Sequence, residues 1–395
     1  MRNTIRGYRD VCRKPAFLRF WLGMAVSRTG DALTTVALAW LVLDLAGPAE
    51  LGVVLLCFGL PRVVTGPVAG RLLDRFPARL LLGWDNALRA ALVAVVPVLA
   101  YVGELRIGHV YAVVLACAAL SAVTEVAEGA LVPRLVADAE LESANSLLSV
   151  NWEVAYVVAP PVAGLAVGAV GAEAVLLLDA ASFLVTSAFC FGLPPLAVHG
   201  ERTPTRFAVL LQLPVALVLS LSATGFLFLG GVVEVFHPVF VREVLHAGPV
   251  AFGLVLGAAG VGGLCGAVFG VALYRRVPER WRVSAAIACA APVFALFAVI
   301  DTVVAAVVVA GVASFLWAPY YAVERSRFQR AVPKDVRGRV TGARTALCAL
   351  GFPVGSAAGG VLLAGVEVPA AALVVACGFV VLAFVPLAAR ERVRT

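Results

Sequence analysis

Charged residues are scarce inside the long apolar stretches of this sequence, and the few found there are its candidates for chemistry. Arg28 and Asp31 fall mid-way along the first stretch, at a spacing of i, i+3 that places them on one helix face and lets them pair. Asp85 and Arg89 are one turn apart in the third stretch, Glu125 and Glu128 share a face of the fourth, and Glu153 stands beside Asn151 and Trp152 in the fifth. A charge at the centre of a membrane span costs about 2.5 to 3.5 kcal/mol, against about 0.5 gained per Leu, so each needs a reason. The chemistry on offer is proton carriage. Desolvation favours the neutral form of a carboxyl group, and a carboxylate that exchanges an arginine for a proton couples protonation to shape. Asp31, Glu125 and Glu153 are the expected proton-coupling residues, with a self-neutralising Arg28–Asp31 pair as the structural alternative. Glu128 and Arg344, nearer the inner ends, are expected in salt bridges. Arg28, Asn151 and the aromatics Trp317, Tyr320 and Tyr321 around Pro319 are expected to line a substrate cavity. The aromatics equally suit a belt at the membrane interface. Glu234 and His237 are expected to form a polar rim.

The elements that must position these residues are membrane spans. Of 395 residues, 62% are apolar and 14% charged, against roughly 45 to 50% and about 25% in soluble domains. Apolar runs predict twelve helices, at 17–43, 51–70, 80–102, 108–131, 143–170 and 174–193, then 207–237, 250–273, 283–300, 302–323, 340–366 and 369–389. Of the 31 Lys and Arg residues, 25 fall in alternate gaps, whereas Arg106 and Arg242 alone occupy the gaps between. That alternation places both basic termini in the cytoplasm. The net charge of +7 is therefore a topology signal rather than a nucleic-acid surface.

Three prolines punctuate 194–206, the expected linker between an N-terminal six-helix bundle (1–193) and a C-terminal one (207–395). The halves echo each other. Gly70-Arg-Leu-Leu-Asp74-Arg75 matches Gly270-Val-Ala-Leu-Tyr274-Arg275, and Val136-Ala-Asp138 matches Val332 to Asp335. Internal repeats of this kind build many transporters. Among 37 glycines, those of the eighth stretch are the densest, which predicts close helix packing or a sliding interface. Eight dispersed cysteines predict free, buried thiols, and four scattered histidines offer no metal ligand set. No phosphate-binding glycine loop is present, so ATP is not the expected energy source.

The loop Gly70 to Leu82 (GRLLDRFPARLLL) resembles the signature between spans two and three of the major facilitator superfamily, with Gly70, Leu72, Asp74, Arg75, Arg79 and Leu82 in register. Pro77 and Ala78 depart from a Gly and a basic residue. A carboxylate among arginines at a span's inner end can pair in one state and release in another, so Gly70, Asp74, Arg75 and Arg79, with Asp85 and Arg89, are the expected conformational switch. Further stretches are similar to the macrolide and enterobactin exporter branch: Ser27-Arg28-Thr29-Gly30-Asp31, Leu60-Pro61-Arg62, Asp85 to Ala90, Ala144 to Leu147, Asp179 to Phe183, Gln329 to Pro333 and Arg337 to Val340. Ala159-Pro160-Pro161-Val162-Ala163-Gly164 is similar to an antiporter signature, in which Pro160, Pro161 and Gly164 would kink the helix.

The resemblance implies an all-α integral membrane protein of two pseudo-symmetric bundles. It implies no enzyme and no cofactor. The implied protein is a monomeric, multi-pass carrier in the bacterial plasma membrane, exporting a hydrophobic or amphipathic small molecule by alternating access on the proton gradient. A proton-symport importer and a non-transporting sensor remain open on the residues alone.

Overall fold

The computed structural model describes residues 2–194, 207–274, 276–333 and 336–388. These form helices and no strand. In chain order they are α1 (Arg2–Cys12), α2 (Pro15–Leu45), α3 (Pro48–Arg75), α4 (Ala78–Tyr101), α5 (Ile107–Leu135), α6 (Leu141–Val170) and α7 (Ala172–Phe191). There follow α8 (Phe207–Leu211), α9 (Pro214–Glu243), α10 (Pro249–Cys265), α11 (Val271–Tyr274), α12 (Glu279–Ala288), α13 (Ala290–Ala295), α14 (Val303–Trp317), α15 (Pro319–Ala331), α16 (Arg337–Cys348), α17 (Gly351–Gly365) and α18 (Val368–Phe384). Ten segments among the described residues are long and apolar enough to cross a membrane. With α2 and α3, 31 and 28 residues long and interrupted by charge, they make twelve. Apart from Pro194, the expected linker lies outside the described residues.

The helices gather into two compact units, Met1–Leu41 with Leu60–Arg202, and Val42–Gly59 with Thr203–Thr395. The expectation of an unbroken first bundle to 193 therefore meets a departure at Val42–Gly59. Small residues explain it. A side chain on Gly52 would strike Ser356 and Gly360, and one on Gly59 would strike Pro353, so this segment lies backbone to backbone on α17.

Within the first unit α4 packs along α7, and within the second α12 and α13 repeat that arrangement against α18. The other intimate pairs of the second unit are α9 with α17 and α10 with α14. Both are glycine ladders. Gly262, Gly266 and Gly270, one per turn, face Gly311, Phe315 and Pro319, while Gly351, Gly355 and Gly359 face Thr224, Phe228 and Val232. An added Cβ at any of the six would enter backbone or a rigid ring. Absence of side chains is what permits this approach where water supplies no driving force.

Several spans of the second unit are interrupted, whereas α9 and α18 of that unit and the spans of the first run through. Interruptions fall at Cys289, Ala318 and Ala349–Leu350, and α10 ends in a π-helical turn, Gly266–Gly270. Each break precedes a proline, Pro292, Pro319 or Pro353, whose missing N–H leaves a carbonyl one turn back without its helical donor. By contrast α6 runs through Pro160 and Pro161 as one assigned helix. All eight cysteines are free thiols, but only Cys190 is buried and Cys377 is exposed. The expectation of buried thiols fails because most lie on helix faces that the protein itself leaves partly open.

Candidate functional site

In the first unit, four helices converge on a polar network. From α4, Asp85 and Arg89 are both almost fully buried, and Arg89 donates to Asp85 Oδ2 through Nη2 at 2.6 Å and Nε at 3.1 Å. Thr124 of α5 donates to the same oxygen at 2.8 Å, and the Arg89 guanidinium lies 4.7 Å from the Phe183 ring centroid. A one-turn carboxylate–guanidinium pair held this way can remain charged within the bilayer. Asp179 of α7, also buried, accepts from Thr34 at 2.6 Å through Oδ2 and from Ser182 at 3.1 Å through Oδ1. Asp31 of α2 is exposed, yet near enough to interact electrostatically with both Asp179 and Arg89. Gly30 makes this possible: a Cβ there would come within 2.2 Å of both Asp179 Oδ1 and Ser182 Oγ. The sequence stretches 27–31, 85–90 and 179–183 are thus one structure.

Arg28 meets a different partner from the one its spacing suggests. Its Nη2 lies 2.6 Å from Glu128 Oε2, and the guanidinium covers Trp152 at 4.2 Å. A carboxylate 100 positions away thus supplies the pairing expected within one turn of α2. Asn151 is buried and donates to the Trp21 carbonyl at 3.2 Å, which ties α6 to α2. Its expected place in a cavity is replaced by that helix contact. Glu125 and Glu153 are exposed. Glu234 and His237 form no open rim: His237 is 7% exposed, within 5.9 to 6.4 Å of the Phe294, Phe297 and Phe236 rings.

The second unit holds an aromatic cluster around Phe226. Tyr320 stacks on it at 3.9 Å, Tyr321 and Trp317 meet it edge-on at 5.6 and 6.2 Å, and Phe379 lies 6.2 Å away. Beside the cluster is a cavity of about 480 Å³, lined by α9, α15 and α16 and including Tyr320 and Tyr321. Glu324, 2% exposed, is paired there with Arg344 at 2.5 Å, and Arg344 covers Phe328 at 4.3 Å. The residue reading passed over Glu324, although a signal existed. Val136 and Val332, matched in the repeat, are 196 positions apart, and the same shift carries Glu128 to Glu324. Each half therefore holds a carboxylate at one repeat position, on an arginine that itself stacks on an aromatic ring.

The Major Facilitator Superfamily model matches residues 20–356. The chain belongs to that family. Among similar proteins, multidrug efflux pump Tap of Mycobacterium tuberculosis (strain ATCC 25618 / H37Rv) is 28% identical over 393 residues, covering 94% of this chain and 90% of its own. Macrolide efflux protein A of Streptococcus pyogenes is 24% identical over 363 residues, covering 87% and 88%. In fold, the chain is similar to a bacterial homologue of the iron transporter ferroportin (TM-score 0.74, 18% identity, 93% and 98% covered) and to nucleoside transporter NupG (0.73, 15%, 95% and 98%). This chain is accordingly a multi-pass membrane protein of a transporter family.

For this Major Facilitator Superfamily member the α3–α4 loop explains its own departures. Gly70, Asp74 and Arg75 close α3, and Phe76 and Pro77 make a two-residue turn. The Pro77 carbonyl accepts from Leu80 and Leu81 at 3.0 and 3.2 Å, so the turn needs no glycine. Ala78 is fully buried among Phe17, Phe20, Leu73 and Leu82, where a basic side chain could not sit. Arg79, half-buried, leads into α4. The repeat position of Asp74 is Tyr274, whose hydroxyl donates to the Leu316 carbonyl at 2.9 Å. Pro160 and Gly164 are buried and Pro161 half-buried within uninterrupted α6.

Proposed function

We propose that this transporter exports a hydrophobic or amphipathic small molecule against protons, by alternating access, from the cytoplasm across a bacterial plasma membrane with both termini inside. The observation that carries the reading is the buried polar network of the first unit: Asp85 holds Arg89, Glu128 holds Arg28, and Asp179 lies buried within electrostatic reach of Asp31 on α2. A carboxyl group in so poorly solvated a bundle is a place where a proton can be held. Asp31, exposed beside buried Asp179, is the first proton carrier in this scheme, with Glu125 and Glu153 further along the path. The relatives named as multidrug and macrolide efflux proteins support the direction and the cargo class. A monomer suffices for this mechanism, and the proton gradient is its energy source.

The test is drug resistance in a pump-deficient bacterial strain. The chain should raise resistance to several lipophilic antibiotics, and Asp31→Asn should abolish the gain at equal membrane abundance. Equal resistance with and without the chain across the panel would refute the reading.

A further inference from the structure

Helix α1 belongs neither to the polar network nor to the aromatic cluster, yet it is tied down along one face. Val11 is fully buried, in one core cluster with Leu135, Val136 and Ala144. Gly7 faces Ser143, whose Oγ an added Cβ would strike. The Tyr8 hydroxyl lies 2.7 Å from Ser146 Oγ, and Lys14, just past the helix, pairs with Glu140. Further on, Trp21 of α2 donates to the Leu147 carbonyl at 2.9 Å. All these ties fall at the first two turns of α6. That helix has 30 residues, about 45 Å at 1.5 Å each, against a hydrocarbon core of about 30 Å. Its first turns, and α1 upon them, therefore stand at the level of the lipid headgroups.

The opposite face of α1 is basic. Arg9 and Arg13 are exposed and stand two positions either side of Val11, which at about 100° per residue places them on the far side of the helix. Arg13 N–H donates to the Arg9 carbonyl at 3.1 Å, so the last turn carries both. In the sequence the same spacing, i, i+4, i+7 and i+11, runs from Arg2 through Arg6 to Arg9 and Arg13, and Asp10 is the one acidic residue of the helix. A guanidinium offers a fork of donors that matches phosphate oxygens.

We propose that this face of α1 docks on anionic phospholipid headgroups and, through its ties, holds the first turns of α6. The partner is a lipid because the stripe lies at headgroup depth, where anionic phosphate is the complementary charge. Trp152, on which Arg28 lies, belongs to the same α6, so the clamp bears on a helix of the polar network. The proposal is independent of cargo and of the direction of transport.

The test is hydrogen exchange of the full-length protein in nanodiscs of phosphatidylcholine, with and without phosphatidylglycerol. The anionic lipid should slow exchange at residues 7–12 and 141–148 by about fivefold or more, the equivalent of about 1 kcal/mol for one arginine at an anionic surface. The double variant Arg9→Gln, Arg13→Gln should lose that slowing. Arg276→Gln with Arg280→Gln, which removes two exposed charges from the second unit, should keep it. Inorganic phosphate added to phosphatidylcholine nanodiscs should have no effect. Equal exchange in the two lipids, slowing that survives in the Arg9 and Arg13 variant, slowing confined to α1, or the same slowing with inorganic phosphate would overturn the proposal.

Discussion

Gly30 of α2 stands so close to Asp179 of α7 that a single added carbon would lie 2.2 Å from the Asp179 carboxyl oxygen Oδ1. The buried carboxylate is thereby seated beside the helix that carries Arg28 and Asp31, and its hydrogen bonds from Thr34 and Ser182 depend on that seat.

Gly30→Ala should therefore act twice. Overpacking costs about 1 to 3 kcal/mol, which lowers the thermal unfolding midpoint in detergent, and displacement of Asp179 removes efflux in the fraction still folded. Gly263→Ala, where an added carbon meets open space, should change neither.

The Asp85–Arg89 pair predicts a double-mutant cycle with strong coupling. Removing one partner strands a buried charge, which costs about 3 to 5 kcal/mol, whereas replacing both by apolar groups of similar volume restores much of the loss. Thermal unfolding of Arg89→Met, Asp85→Leu and the double variant checks this. Additive losses would show that the two groups do not depend on one another.

Bulk on the ladder glycines should stop assembly of the second unit. Gly262→Leu or Gly266→Leu drives a side chain into the Gly311 or Phe315 backbone, and the expected outcome is loss of protein from the membrane fraction. Gly230→Ala, facing open space, is the matched control and should accumulate normally.

Asp31→Asn, Glu125→Gln and Glu153→Gln separate coupling from folding. Each should leave the protein folded and abundant, and the groups on the proton path should lose proton-driven efflux while retaining downhill exchange of the same compound. Counterflow in proteoliposomes, with and without a pH gradient, measures the two separately.

How much of this could be read from the residues depended on range. The spans were visible because an apolar run of twenty residues is a local signal, and Gly70 to Leu82 announced its family by its order of residues. Partners across the bundle were not visible. Asp31 is three positions from Arg28, yet the guanidinium reaches Glu128 on another helix, since pairing in a bundle follows packing and not chain separation. Glu324 was hidden among the basic residues at the inner end of its span, where Arg325, Arg327 and Arg330 dominate the composition. The repeat shift from Val136 to Val332 would have exposed it. Prolines stand just after the breaks in the second unit, Pro292, Pro319 and Pro353, yet α9 continues through Pro238 and α6 through Pro160 and Pro161. A proline removes one donor, and neighbouring helices decide whether the strand of hydrogen bonds closes around it.

Flux into inverted membrane vesicles tests the central claim most directly. With the vesicle interior acidified by respiration, a fluorescent lipophilic substrate should accumulate inside, release protons to the outside as it enters, and leak back when a protonophore collapses the gradient. Accumulation that survives the protonophore, or uptake only when the gradient is reversed, would contradict proton-driven export.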